Sequence, residues 1–255
     1  MKPVIIANWK MNLTGSQAQN LATDISNGAA DYSDKVSIII CPPFTALGQL
    51  GGLQNIDLGA QDIHWEDQGT FTGEISGAML RDLKCRYVIV GHSERRWQMN
   101  ENNDVINKKL LAALRYKLIP ILCVGERADD KAAARTASVL QQQLSSAWRG
   151  IGRDDFSQII IAYEPVWAIG TGAINSRVAA NATEIIAAYK VIKEFLEKEN
   201  VQDKVSLIYG GSVDSVNINN FLKLDDNGGF LVGGASLQAA EFLKIIAAVA
   251  TSYNS

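Results

Sequence analysis

The 255-residue chain reads as an α/β protein, a single-domain (β/α)8 barrel of eight parallel strands over residues 1–255. Two patterns predict this. Short β-branched runs alternate with longer stretches of helical period along the whole chain. Several of the short runs are continuously apolar, as expected of parallel strands covered on both faces. Eight such units close into a barrel more economically than they spread into an open sheet. No linker, low-complexity tract or charge run divides the chain, and its length suits one α/β barrel.

The elements follow in order. Val4–Trp9 reads as the first strand and Ser16–Ala30 as the first helix. Val36–Cys41 is the second strand, followed by a helical stretch at Thr45–Leu50. Ile56–Gln61 leads into a long loop and then the helix Gly77–Leu83. Tyr87–Gly91 ends on a glycine, His92 opens a helical segment, and Asn103–Lys117 forms a longer helix. Ile119–Val124 precedes a helix at Ala132–Arg149. Gln158–Tyr163 must stop before Pro165, which cannot donate to a ladder. A helix at Arg177–Asn200, a strand at Val205–Tyr209 and a helix at Val213–Leu224 come next. Phe230–Val232 is the last strand. In Ala239–Ser252, residues Ala239, Ala240, Leu243, Ile246 and Ala247 share one helical face.

The charge balance narrows the function classes. Net charge is -3 with a pI near 5.5, and the basic residues are scattered. Neither nucleic acid nor a membrane surface is an expected partner. Cys41, Cys85 and Cys123 are odd in number and form no CxxC, which suits reduced thiols in the cytosol. The N-terminus lacks a signal-peptide pattern and no stretch reaches transmembrane length, so a cytoplasmic protein is expected.

Barrel active sites form where strand C-termini meet. The expected strand ends carry Asn8 and Lys10, Cys41, Gln61 and Asp62, His92 and Glu94, Cys123 and Glu126, Glu164, Gly210-Gly211-Ser212, and Gly233-Gly234. Multiple His and Asp metal ligands are missing from this set, so neither a metal nor a cofactor is expected. Glu164 follows an apolar run and precedes Pro165, so one acid reaches a strand tip. The segment Pro165, Val166, Trp167, Ala168, Ile169, Gly170, Thr171, Gly172 then reads as a flap with an apolar tip and a glycine-bearing exit. Taken alone, Glu164 reads as well as a buried structural acid. Lys10 is either a fixed cation for an anionic substrate or a snorkelling surface lysine. His92, at a helix start, suits a neutral imidazole that donates one hydrogen bond, and equally a structural role. His64 reads as structural. The two Gly-Gly turns after the seventh and eighth strands match the usual phosphate position of such barrels. No nucleotide-binding glycine loop is present. Trp65 and Phe71, on the long third loop, suggest a protein contact.

Asn8-Trp9-Lys10-Met11-Asn12, Gly91-His92-Ser93-Glu94-Arg95-Arg96, Ala162–Gly172, Tyr209-Gly210-Gly211-Ser212-Val213 and Gly233-Gly234-Ala235-Ser236-Leu237 together resemble, in order, the motifs of the triosephosphate isomerase family. The resemblance spans the whole chain. It implies a TIM barrel that interconverts dihydroxyacetone phosphate and D-glyceraldehyde 3-phosphate through a cis-enediolate, a step of glycolysis and gluconeogenesis. It implies Glu164 as general base, His92 as electrophile and proton shuttle, and Lys10 beside Asn8 as the charge that holds substrate. Glu94 supports Lys10. Gly170, Ser212, Gly233 and Gly234 cradle the phosphate through backbone N–H groups, and Pro165–Gly172 closes as a lid. The third loop, with Gln61, Thr72, Gly73 and Glu74, resembles the family's homodimer loop. Cys123 is implied to be a structural neighbour of the site. Lys117 stands where the family usually has glycine, Ala128–Ala134 lacks a glycine, and Asp225–Gly229 is a longer approach to the last strand.

Overall fold

Alternate residues of each strand enter two separate apolar layers. Ile6, Ile39, Tyr87, Ile89, Ile121, Cys123, Ile160, Ala162, Ile208 and Leu231 pack together inside a barrel. Their neighbours Ile5, Ala7, Ile38, Ile40, Val88, Val90, Leu122, Val124, Ile161, Leu207 and Val232 pack outward against helices. Burial of both faces explains why these runs are apolar without alternation. The computed structural model describes residues 2–169 and 180–253.

The strands are β1 Val4–Asn8, β2 Ser37–Cys41, β3 Asp57–Ala60, β4 Tyr87–Val90, β5 Ile119–Val124, β6 Ile160–Tyr163, β7 Ser206–Tyr209 and β8 Gly229–Val232. They form a closed barrel in sequence order, and every pairing is parallel. Pairing of β1 with β8, with Ile5 opposite Phe230, closes it. The helices are α1 Gly15–Gly28, α2 Phe44–Leu47, α3 Gly77–Asp82, α4 Ser93–Gln98, α5 Asn103–Arg115, α6 Ala128–Ala132, α7 Thr136–Ala147, α8 Ala182–Lys198 and α9 Ala239–Ser252. Among the described residues, no helix is long and apolar enough to cross a membrane. Cys41, Cys85 and Cys123 are free and buried.

Three expectations need correction. Val213–Leu224 is not an α-helix; only Ile218–Asn220 makes a 3-10 turn. Asp214 Oδ1 accepts the N–H groups of Val216 and Asn217, and Asn217 Oδ1 accepts that of Asp214. Such local bonds offer the backbone an alternative to the helical ladder. Strict alternation of eight strands with eight helices therefore fails between β7 and β8. The helix expected at Ala132–Arg149 begins only at α7; the separate short helix α6 ends at Ala132, and Ala134 at φ 54° stands between them. The predicted helix Arg177–Asn200 starts later, at α8, where Asn181 and Glu184 form a reciprocal cap. Positions 177–179 lie outside the described residues.

Candidate active site

The inward rows of the strands continue upward into polar residues. On β1 the row runs Ile6 then Asn8; on β6 it runs Ile160, Ala162 and then Glu164. The two-residue period that packs the barrel therefore aims Asn8 and Glu164 into its mouth. The mouth opens into a cavity of about 550 Å³ lined by Asn8, Lys10, His92 and Glu164 on one side. Ile169, Gly210, Ser212, Gly233 and Gly234 also line it.

Glu164 is almost completely buried, at 2 % exposure. Its backbone N–H donates to Val124 O at 2.7 Å. Its Oε2 accepts the Ser93 N–H at 3.0 Å, and its Oε1 lies 3.2 Å from His92 Nε2. Two glycines make room for it. A Cβ on Gly125 would sit 1.7 Å from Glu164 O, and one on Gly210 would sit 2.9 Å from Glu164 Cγ.

His92 is the N-cap of α4, after Gly91 turns the chain at φ 71°. Its Nδ1 accepts the Glu94 N–H at 3.2 Å. An accepting Nδ1 carries no proton, so the ring is the neutral tautomer with hydrogen on Nε2, directed at Glu164. Glu94 Oε2 lies 3.7 Å from the same Nδ1, but the backbone donor occupies that lone pair.

Lys10 sits in the left-handed region at φ 52°. Non-glycine residues there carry strain, and surrounding contacts must impose it. Asn8 Oδ1 accepts the Lys10 N–H at 3.1 Å, and Gln61 Nε2 donates to Lys10 O at 2.8 Å. Lys10 Nζ reaches Glu94 Oε1 at 2.7 Å. Its Cε lies 3.6 Å from the position of a Cβ on Gly233, so the side chain runs over the glycine turn. Gly234 opens a 3-10 turn, and a Cβ there would meet nothing within 4 Å. This end of the cavity thus offers exposed backbone beside a cation, which suits an anion.

The flap's described part leaves β6 through Pro165 and forms a 3-10 turn, Val166–Ala168. Trp167 Nε1 donates to Glu126 Oε1 at 2.8 Å, and Tyr163 OH donates to the same carboxylate. Gly170, Thr171 and Gly172 lie outside the described residues. In the third loop Thr72, Gly73 and Glu74 are exposed, as is Phe71. Trp65 is half-buried, its ring 4.1 Å from that of His64. Gln61 donates its amide N–H to Lys10 O and Cys41 O. Sequence reasoning missed this bond, the Ser93 N–H on Glu164, and the close approach at Gly125. A glycine directly after the fifth strand was the one visible signal for the last. Cys123 is buried on the inward row of β5; burial and the nearby Glu164 push its thiol well above the ordinary range. Among the described residues no group of three or more His, Cys, Asp or Glu could hold a metal ion.

The chain also matches known proteins along nearly its whole length. Residues 3–249 match the family model described as triosephosphate isomerase. A triosephosphate isomerase of Dictyoglomus turgidum is 43 % identical over 248 residues, covering 96 % of this chain and 98 % of that protein. Those of Moorella thermoacetica and a Roseiflexus species are 43 % and 44 % identical, each over 96 % of this chain and over 98 % and 96 % of their own lengths. An eight-stranded barrel with these residues at its mouth, matched along nearly its whole length, belongs to the triosephosphate isomerase family.

Proposed function

We propose that this chain interconverts dihydroxyacetone phosphate and D-glyceraldehyde 3-phosphate through a cis-enediolate, the triose step shared by glycolysis and gluconeogenesis. One observation carries the reading: a buried carboxylate and a neutral imidazole N–H stand 3.2 Å apart on the wall of a cavity that also contains a lysine and glycine turns. Glu164 removes a proton from one substrate carbon and returns it to the neighbouring carbon. The electron pair stays on the substrate, so no redox partner is required. His92 Nε2–H donates to the carbonyl oxygen as charge develops there and moves protons between the two oxygens. Triosephosphate isomerase is the standard example of such a neutral histidine and of lid closure, and the scheme follows that of the family. Lys10, supported by Asn8 and Glu94, neutralises developing charge and the phosphate. Ser212, Gly233 and Gly234, with Gly170, hold the phosphate through backbone N–H groups. Room beside Gly210 lets Glu164 leave His92 for the substrate carbon.

Pro165–Gly172 acts as a lid that excludes water and slows loss of phosphate from the enediolate. Thr72–Glu74 and Phe71 project from the third loop, and we assign them to a homodimer contact. Pairing of β1 with β8 supports one domain over residues 1–255. Buried free thiols suit a reducing compartment, and the cytoplasm is the proposed location. The deciding experiment is a coupled isomerase assay on each triose phosphate, with Glu164→Gln as control. Activity in the wild type and its loss in the variant are expected. Equal inertness of both overturns the reading.

A further inference from the structure

Arg96 follows the candidate site residues in sequence, yet its side chain turns away from the cavity into the protein. It is 7 % exposed. Its guanidinium donates three hydrogen bonds: Nε to Gly91 O at 2.7 Å, Nη2 to Cys123 O at 2.8 Å and Nη1 to Asn103 Oδ1 at 2.9 Å. All three acceptors are neutral. Among the described residues no carboxylate lies within ion-pair distance of it. A buried cation without such a partner is costly. Burial lowers its pKa to about 10, while Cys123, Glu164 and Glu101 act in the opposite direction.

The acceptors indicate what the cation does. Gly91 O belongs to the peptide that leads into His92. A Cβ on Gly91 would lie only 3.0 Å from Arg96 Nη2, so the turn and the guanidinium are packed together. Cys123 adjoins Val124, whose carbonyl accepts the Glu164 N–H. One planar fork therefore ties the turn that aims His92 to the strand beside Glu164. Lysine cannot reproduce that fork.

We propose that Arg96 is a positioning residue for the isomerase reaction: its fork fixes the spacing of His92 and Glu164. The proposal rests on the functional reading above. His92, the N-cap of α4, and Ser93, its first residue, touch Glu164 directly, while Arg96 holds them from the next turn of α4.

Steady-state kinetics of R96K, R96M, R96A and N103A test it. R96M should lower kcat by about 10²-fold, with KM little changed, because a displacement of about 1 Å costs that much. R96K keeps the charge and loses the fork, so kcat should fall by about 10-fold with KM little changed. N103A leaves the bonds to Gly91 and Cys123 and should keep kcat within about twofold. A groove of about 440 Å³ lined by Arg96, Trp97 and Asn103 gives solvent access, so guanidinium ion should restore part of the activity of R96A. R96K and R96M with wild-type kcat and KM, even with lowered melting temperatures, would overturn the proposal. If R96M does not fold, R96K decides alone: a wild-type kcat refutes the fork. An inert wild type instead refutes the functional reading.

Discussion

Glu164 and His92 are held from behind by consecutive backbone donors of one helix turn. The Ser93 N–H binds Glu164 Oε2 and the Glu94 N–H binds His92 Nδ1, while Oε1 and Nε2 face each other at 3.2 Å. The first N–H groups of a helix have no partner within it. Here α4 uses two of them to orient an acid and to choose a tautomer.

Shortening the acid tests this geometry. Glu164→Asp withdraws the carboxylate by about one bond length and should lower kcat by roughly 10²-fold or more at unchanged melting temperature. Rapid-quench or coupled kinetics would check it, and an unaltered kcat would remove Glu164 as the base.

Gly210→Ala places a Cβ 2.9 Å from Glu164 Cγ. Spacing that tight displaces the side chain. The expected result is a fall of about 10-fold in kcat with the barrel intact by circular dichroism. Full activity in this variant would show that Glu164 does not need that space.

Ala134 and Lys117 adopt φ 54° and 55°. Left-handed geometry costs an L-residue about 1–2 kcal/mol, offset in glycine by about 0.5–1 kcal/mol of extra backbone entropy. Ala134→Gly and Lys117→Gly should each raise Tm by about 1–2 °C. Lowered melting temperatures in calorimetry would show that the side chains contribute more than the strain costs.

Asp62 lies in a buried cluster with Lys109, Arg95 and Glu101; Lys109 Nζ is 2.7 Å from both its oxygens. Burial pushes the Asp62 carboxyl up from 3.8 to about 6, against the pull of Lys109 and Arg95. The folded state therefore binds this proton more tightly than the unfolded chain. Stability from this group is complete below about pH 4 and is lost as pH rises through about 6. Asp62→Asn cannot ionise and lacks that loss. Its Tm relative to wild type should be higher at pH 7 than at pH 4.5. An equal difference at both pH values would contradict the raised carboxyl.

Analytical ultracentrifugation at micromolar concentration should show a dimer. Phe71→Asp with Thr72→Glu, both at exposed positions, should shift it towards monomer. A monomeric wild type would refute the role given to the third loop.

Much of the architecture was legible because burial on two faces leaves a direct trace in residue choice. Ile119–Val124 and Ala239–Ser252 match the expected bounds, since apolar runs and helical period survive any packing arrangement. Val213–Leu224 misled because the side-chain bonds of Asp214 and Asn217 outcompete helix, and composition alone does not show which local bond forms. The bonds of the Gln61 amide to Lys10 O and Cys41 O were not legible, because those carbonyls lie far away in sequence.

Sequence alone determined the eight strand units, the residues at their tips and, through five ordered motifs, the family. It did so because period and motif are local properties of the chain. Only the tertiary structure decided how those tips interact: the strain of Lys10, the proton position on His92, the glycine gaps around Glu164 and the buried fork of Arg96. Each depends on distances of about 3 Å between segments tens of residues apart, which barrel closure sets.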